Sequence, residues 1–506
     1  MRQEIKSARS AQARFIGLIL LLILALGAAL RLVNLGSDSI WLDEAYSIQF
    51  ARLPLPQLLA ETASSDVHPP LYYLLLHFWI KLCGDSEAGA RLLSALFGLL
   101  AILMIYFVAA LLFDRATGLL SALLLSLSLF HIEFAQEARM YSLLAFLSLC
   151  SLYFFLKLFD ETKRRRALHI IGYLLTTSLL MHTHVYGFFI IIAENLFFFA
   201  LCFSRREFKR DAARWLLLQA ALVALFLPWL FVMLRQFARV QQGFWIPQPT
   251  LNFLRLTWML YSGSTLLSFL FIPLVALGLF AARETSNGHS AEERANHLAA
   301  AARRLPLSER EKLLLMLLWL LSPILIPFVL SQKLASIYLP KYTIAASTAF
   351  LVLAARGIMS LRFDRARVVL VAVVLGLSFA QMRDYWSAAH KDFWRESASY
   401  FEHTARAGDL TLFHQGNGHV PFDYYSKRND IKQVPLDDTW QLTTVSVASM
   451  LQPLVAGHNR VWLVASHQNE ATELIRKQLG EWYKVTEHRV DPGVELYLFE
   501  KGTTPQ

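Results

Sequence analysis

The chain has 506 residues; 56% are hydrophobic, 17% are charged, and the mean hydropathy is +0.42. An ordinary soluble domain is about 25% charged, so this composition excludes a water-soluble globular enzyme and fits a chain whose solvent is lipid. The net charge of +10 is no sign of nucleic-acid binding, because Lys and Arg fall in short clusters between apolar runs, as topology signals do.

A helix needs about 20 apolar residues to cross the hydrocarbon core. Residues 15–32 form the first such run; it is longer than a signal-peptide core and lacks a small-residue cleavage site, so it reads as retained. Further runs lie near 90–112, 117–131, 141–159, 167–183, 185–203, 214–233, 256–281, 313–331, 342–357 and 367–382, which predicts about eleven transmembrane helices. Basic clusters occur at Arg2, Lys6, Arg9 and Arg14, at Lys163, Arg164, Arg165 and Arg166, at Arg205, Arg206, Lys209 and Arg210, at Arg303, Arg304, Arg310 and Lys312, and at Arg356, Arg362, Arg365 and Arg367. All fall on one side if the spans alternate, and the positive-inside rule makes that side the cytoplasm. The N-terminus is then cytoplasmic, and the loops 33–89, 132–140, 234–255 and 332–341 and the tail 383–506 are extracytoplasmic. Cys83, Cys150 and Cys202 are too few for a disulfide framework and read as free.

The first outer loop holds the first candidate chemistry. In Ile40-Trp41-Leu42-Asp43-Glu44-Ala45-Tyr46-Ser47, two adjacent acids stand just beyond the first span. An acid beside the bilayer costs free energy unless it has a partner or a task. Asp43 and Glu44 could supply a general base or orient an acceptor or metal, or they could simply favour the first turn of a water-facing helix. Ser65-Asp66-Val67-His68-Pro69-Pro70-Leu71-Tyr72-Tyr73 follows, leading into an apolar run too short to span. Proline suits a helix start, so two helices are expected along the membrane surface, beginning near Asp43 and near Pro70.

The second outer loop, Phe130-His131-Ile132-Glu133-Phe134-Ala135-Gln136-Glu137-Ala138-Arg139-Met140-Tyr141, concentrates charge in a short connection. Glu137 could work beside Asp43 while Arg139 binds an anion, or the two could form a local pair at a helix end. His182 and His184 flank Thr183; a spacing of two does not place both on one helical face, and a metal site needs more ligands. Local hydrogen bonding of interfacial histidines is the plainer reading. The aromatic segment 243–249 could line a sugar or lipid groove or form an interfacial belt. The Ala- and charge-rich stretch 283–304 predicts a solvated cytoplasmic helix or mobile loop. Lys341, in Ser336-Ile337-Tyr338-Leu339-Pro340-Lys341-Tyr342, could meet a phosphate at headgroup level or anchor a helix end among tyrosines. Beyond 382 the apolar runs shorten to 409–413, 460–465 and 495–499, with helical periodicity over 469–479. This predicts a transmembrane part, 1–382, followed by a small soluble α/β domain, 383–506.

No glycine-rich nucleotide loop appears. An outward-facing enzyme would have no nucleoside triphosphate to use, so its activated substrate would have to be carried by lipid. Leu42-Asp43-Glu44-Ala45 followed by Asp66-Val67-His68-Pro69-Pro70-Leu71 resembles the protein O-mannosyltransferase superfamily, and more closely its bacterial members that group with the aminoarabinose transferases of lipid A. Gln136-Glu137-Ala138-Arg139-Met140-Tyr141-Ser142, Thr183-His184-Val185-Tyr186-Gly187 and Tyr338-Leu339-Pro340-Lys341-Tyr342 are similar to patterns in those bacterial proteins. The resemblance covers about 1–382.

It implies the C-type glycosyltransferase fold and inverting transfer from a polyprenyl-phosphate sugar to a lipid, glycan or protein acceptor. It further implies Asp43 as catalytic base or acceptor-orienting acid, Glu44 as its support, and Glu137 facing the same cavity. His68 is carried toward the donor, and Arg139 and Lys341 hold the donor phosphate. Tyr141, His184 and Tyr342, in the matching segments, join them as donor-binding candidates. A divalent metal could help neutralise the phosphate, although no complete ligand set is visible and no other cofactor is implied. The chain departs from the aminoarabinose transferases in having Val67-His68 where they carry an acidic–basic pair, and no outer loop is long enough for the inserted domain of the eukaryotic mannosyltransferases. The sugar therefore stays open. A transporter or flippase of lipid-linked sugars is the alternative; it would show polar residues and Gly or Pro breaks in mid-span, whereas the ionisable residues here cluster in outer loops.

Overall fold

The structure, a computed structural model, describes residues 2–159, 165–243, 245–280, 305–388, 390–436 and 444–502. The Ala- and charge-rich stretch 283–304 lies outside the described residues, as do Lys163 and Arg164. Internal contacts divide the chain into two units: Met1–Val33, Pro54–Leu82 and Ala90–Trp386 form the first, and Asn34–Leu53, Cys83–Gly89 and Ser387–Gln506 the second.

Among the described residues, eight helices are long and apolar enough to cross a membrane, or up to ten if two bent pairs count as one span each. The chain is a multi-pass membrane protein. One pair, Arg115–Leu127 and Leu129–Ala135, bends by 61° where Ser128 leaves the helical region. The other, Leu251–Ser262 and Thr265–Phe280, bends by 89° at Gly263, whose φ of +92° favours a residue without a Cβ. The Arg166–Met181 helix has 16 residues and falls just short of a spanning length. With it, every one of the eleven expected runs corresponds to a helix or bent pair.

Two devices hold the first unit together without a hydrophobic effect between helices. Gly278 and Gly357 face each other so closely that a Cβ on either would collide with the other helix's backbone, which lets Thr265–Phe280 and Ile344–Ser360 pack main chain against main chain. Glu194, buried in mid-helix, accepts hydrogen bonds from Ser151 and Tyr173, both at 2.9 Å, and so joins three neighbouring helices. A buried acid with its acceptors occupied is tolerable in lipid surroundings.

The second unit is built on a five-stranded sheet of order β2-β1-β3-β5-β4, with β1 Leu410–His414, β2 Lys432–Pro435, β3 Arg460–Ser466, β4 Lys484–Asp491 and β5 Val494–Glu500. β1 is parallel to β2 and β3, whereas β5 is antiparallel to β3 and β4. The strands β1 and β3 are buried almost throughout, so they read as continuous apolar runs. Helix Glu470–Trp482 begins at Asn469, whose side chain accepts the Thr472 N–H. Two core layers flank the sheet, one around Leu412, Val447, Leu463 and Ile475, the other around Trp394, Phe401, Phe422 and Trp462.

Between Asn34 and Gly89 there are three helices, not the two expected: Leu42–Arg52, Leu55–Ser64 and Leu71–Cys83. The unforeseen one starts with Pro54 as its cap and Pro56 in its first turn, where a missing N–H costs nothing.

Candidate active site

Three connections of the first unit meet. The turn from Asp66 to Pro70 joins Leu55–Ser64 to Leu71–Cys83, and Asp66 organises it. Its Oδ1 accepts the N–H groups of Val67 at 2.6 Å and His68 at 3.3 Å, and its Oδ2 accepts the Tyr73 hydroxyl at 2.5 Å. Arg139 Nη1 donates to the same Tyr73 oxygen at 3.2 Å. Tyr72, one residue earlier, pairs with Ser94 at 2.8 Å, and Ser94 donates to the Arg139 carbonyl at 3.0 Å. Consecutive tyrosines thus tie the proline turn to the connection 136–140 from two sides. In that connection Gln136 donates to the carbonyls of Arg31 and Val33, and the Glu137 carbonyl accepts the Arg139 N–H at 2.7 Å.

The third connection, 182–186, is drawn in by the Leu71 N–H, which donates to the His182 carbonyl at 3.0 Å. The His184 ring lies 4.8 Å from that of His68 and 4.8 Å from that of Tyr342. Tyr141 stacks on Tyr342 at 6.1 Å and sits 6.2 Å from His184. Lys341 Nζ lies 5.5 Å from the centre of the Tyr141 ring, within range of a cation–π attraction. Lys341 and Tyr342 belong to the 3-10 turn Pro340–Thr343, whose approach is held by the Tyr186 hydroxyl on the Ile337 carbonyl at 2.9 Å and by Tyr338 on Thr257 at 2.7 Å.

Burial sets the protonation states here. It holds the His184 ring well below the usual imidazole range, helped by the nearby positive groups of His68, Arg139 and Lys341, so the ring is neutral at pH 7. Burial also pushes the Asp66 carboxyl up, against the pull of Arg139, Tyr73 and the two backbone N–H groups. His68 and His184 border a cavity of about 430 Å³ that is otherwise mainly apolar, with Phe188, Leu234, Phe237 and Val240 in its wall. Cations and hydrogen-bond donors beside an apolar cavity suit an amphiphile with an anionic head.

Of the residues singled out in the sequence, His68, Arg139, Tyr141, His184, Lys341 and Tyr342 come together in the first unit, and Glu137 adjoins Arg139 through the backbone. Asp43 and Glu44 are carried by the second unit, on Leu42–Arg52. Glu44 is fully buried, forms an ion pair with Lys391 Nζ at 3.0 Å and reaches back to the Trp41 N–H, so it closes the start of its helix. Asp43 is half-buried on the first turn, where its carbonyl accepts the Ser47 hydroxyl at 2.9 Å. The helix is fixed to its own unit by Tyr46, which donates to Asn417 at 2.8 Å, and by Arg52, which pairs with Asp85. His182 does not join His184; its Nδ1 bonds the Ser178 carbonyl at 2.8 Å and its ring packs on Phe226. No group of three or more His, Cys, Asp or Glu that could hold a metal occurs among the described residues. Asp66, Tyr73 and Tyr186 are functional candidates that the sequence reading left out. The signal for the first two was their place two residues before and five after His68, which lets a short carboxylate–phenol bridge close over the prolines.

Residues 67–231 match the family described as dolichyl-phosphate-mannose-protein mannosyltransferase. A relative from Aquifex aeolicus is 28% identical over 181 residues, which are 34% of this chain and 36% of that protein. Among solved structures, ArnT from Cupriavidus metallidurans in the apo state is similar with a TM-score of 0.59 at 15% identity, over 94% of this chain and 97% of that one. The same protein bound to undecaprenyl phosphate gives 0.58. The archaeal oligosaccharyltransferase AglB from Archaeoglobus fulgidus, in complex with an inhibitory peptide and a dolichol-phosphate, gives 0.54 at 13% identity, over 96% of this chain and 74% of that one.

Proposed function

For a chain with the C-type glycosyltransferase fold, we propose a membrane glycosyltransferase that moves a sugar from a polyprenyl-phosphate donor to an acceptor hydroxyl at the extracytoplasmic face of the inner membrane. One observation carries this reading: the apolar cavity of about 430 Å³ meets His68, His184 and Tyr342, with Arg139 and Lys341 beside them. The cavity accommodates part of a polyprenyl chain, and the cations meet the phosphate. The undecaprenyl phosphate bound by the ArnT structure supports a ligand of this class.

The reaction is a single displacement. The acceptor oxygen forms a bond to the anomeric carbon while the bond from that carbon to the phosphate oxygen breaks, and polyprenyl phosphate leaves with the electron pair. Arg139 and Lys341 stabilise the charge that develops on the leaving phosphate. Asp43, assigned on the family resemblance, takes the proton of the acceptor hydroxyl, and Glu44 with Lys391 keeps the Asp43 turn in place. One displacement inverts the anomeric configuration. Residues 1–382 are assigned to the catalytic membrane part and 383–506 to an extracytoplasmic domain, with the N-terminus in the cytoplasm by the positive-inside rule.

The test is an assay of the purified full chain with a panel of polyprenyl-phosphate sugars and candidate acceptors. Release of polyprenyl phosphate with at least one donor is expected, lost in Asp43→Asn protein that melts like wild type. Movement of intact donor across liposomes with no release from any donor would overturn the proposal in favour of a flippase.

A further inference from the structure

The two ring nitrogens of His184 are used differently. Nδ1 accepts the backbone N–H of Tyr186 at 3.1 Å. An accepting nitrogen keeps its lone pair, so the ring proton sits on Nε2. A protonated ring would set one N–H against another, and the geometry therefore opposes the cation. Nε2 is buried and has no hydrogen-bond partner among the described residues, and His184 as a whole is 2% exposed. A buried donor without an acceptor costs free energy that a bound ligand can remove. The ring lines the apolar cavity, between His68 and Tyr342.

We infer that His184 is an uncharged hydrogen-bond donor, through Nε2–H, to an oxygen of the lipid-linked phosphate. The inference rests on the reading of this site as one for a lipid phosphate. The positive groups of Arg139 and Lys341 nearby favour an acceptor that carries negative charge, and the apolar wall accepts its hydrocarbon chain. Tyr186 is the positioning residue: it fixes the tautomer with its backbone N–H and, by its hydroxyl on the Ile337 carbonyl, spaces the connection from the turn that carries Tyr342. The site thus divides the work. Charge comes from Arg139 and Lys341, and direction comes from a neutral ring. Phosphate affinity contributed by His184 should then be flat where an ordinary histidine titrates.

The groups facing His184 are His68 from the proline turn, Arg139 and Tyr141, Tyr186 from its own connection, and Lys341 and Tyr342 from the 3-10 turn. The other imidazole among these is His68, and it is present in every variant below. Binding of undecaprenyl phosphate to the purified full chain is measured for wild type, His184→Gln and His184→Phe. Glutamine carries an amide N–H at the reach of Nε2 and should stay within about threefold of wild type, whereas phenylalanine should bind about ten- to a hundredfold more weakly, the loss of one hydrogen bond to a charged group. The ratio of wild-type to His184→Gln affinity should stay constant from about pH 5.5 to 8, which cancels the titration of the ligand itself. Wild-type affinity in the His184→Phe protein overturns the inference, as does a ratio that climbs more than about threefold as pH falls through 6.5, the mark of a charged ring. Should His184→Phe fail to fold, the pH ratio decides alone. Wild-type protein that does not bind undecaprenyl phosphate defeats the underlying reading; wild-type binding without the His184 effects defeats only this inference.

Discussion

Asp66→Ala is the most searching perturbation of the site. It removes the acceptor of the Tyr73 hydroxyl and of the Val67 and His68 N–H groups, and it takes a carboxylate away from Arg139. A stranded buried donor costs about 1–3 kcal/mol. Asp66 is half-buried, so the two amides recover some water, and the whole loss should be about 2–4 kcal/mol of stability. Asp66→Asn keeps an oxygen for the amides and gives up only the charged bond from Tyr73, which should cost about 1–2 kcal/mol. Tyr73→Phe removes the other end of that bond, so the Asp66→Asn and Tyr73→Phe effects should couple by about 1 kcal/mol rather than add.

The pH dependence has a definite sign. Burial raises the Asp66 pKa above 3.8, so the folded chain holds this proton at pH values where the unfolded chain has lost it. Folding gains from this group below the raised value and loses that increment as pH climbs from 3.8 through it. Asn does not titrate, and Asp66→Asn should flatten that segment of the stability curve. The assays are thermal melts of the purified protein from acid to neutral pH and titrations with undecaprenyl phosphate. Coupling below about 0.3 kcal/mol between positions 66 and 73, or wild-type lipid-phosphate affinity in Asp66→Ala, would refute the view that one carboxylate organises the turn.

Three further perturbations probe other parts. Asp43→Asn should slow sugar transfer by about a hundredfold or more, the usual worth of a general base, while leaving undecaprenyl phosphate binding intact; equal turnover would remove Asp43 from the base role. Lys391→Met takes the ammonium away from the fully buried Glu44 and should destabilise Leu42–Arg52 by about 3 kcal/mol, read as faster amide exchange in that helix and partly restored by adding Glu44→Gln. Val240→Trp narrows the cavity wall and should weaken binding of undecaprenyl phosphate far more than that of short citronellyl phosphate, measured in parallel titrations.

The spans were legible because lipid leaves a helix few alternatives, and even the two bent pairs coincide with continuous apolar runs. Their breaks were not, since Ser128 is one polar residue in an apolar run and Ser262-Gly263-Ser264-Thr265 is short enough to pass inside a span. In the second unit the buried strands β1, β3 and β5 announced themselves as apolar runs. Strand β4, Lys484–Asp491, and the short β2 stand at the sheet edges, where one side needs no apolar residues and the pattern looks like loop. The cluster of His68, Arg139, His184 and Lys341 was suggested only by motif resemblance, because its members are far apart in sequence and nothing in spacing joins them. The separation of His182 from His184 did follow from spacing. The tautomer of His184 could not be read at all: it depends on one backbone N–H two residues away.

The backbone passes between the two units at Val33–Asn34, Leu53–Pro54, Leu82–Cys83, Gly89–Ala90 and Trp386–Ser387. The tail is therefore no detachable cassette. Cutting the gene after Trp386 would strip the Leu42–Arg52 segment of Lys391, Asn417 and Tyr424, which hold it from downstream, and would leave the acid pair on an unsupported ribbon. Grafting a foreign tail would do the same damage unless the short stretches 34–53 and 83–89 travelled with it. In this chain the tail and the acid pair at 43–44 would have to be exchanged as one piece.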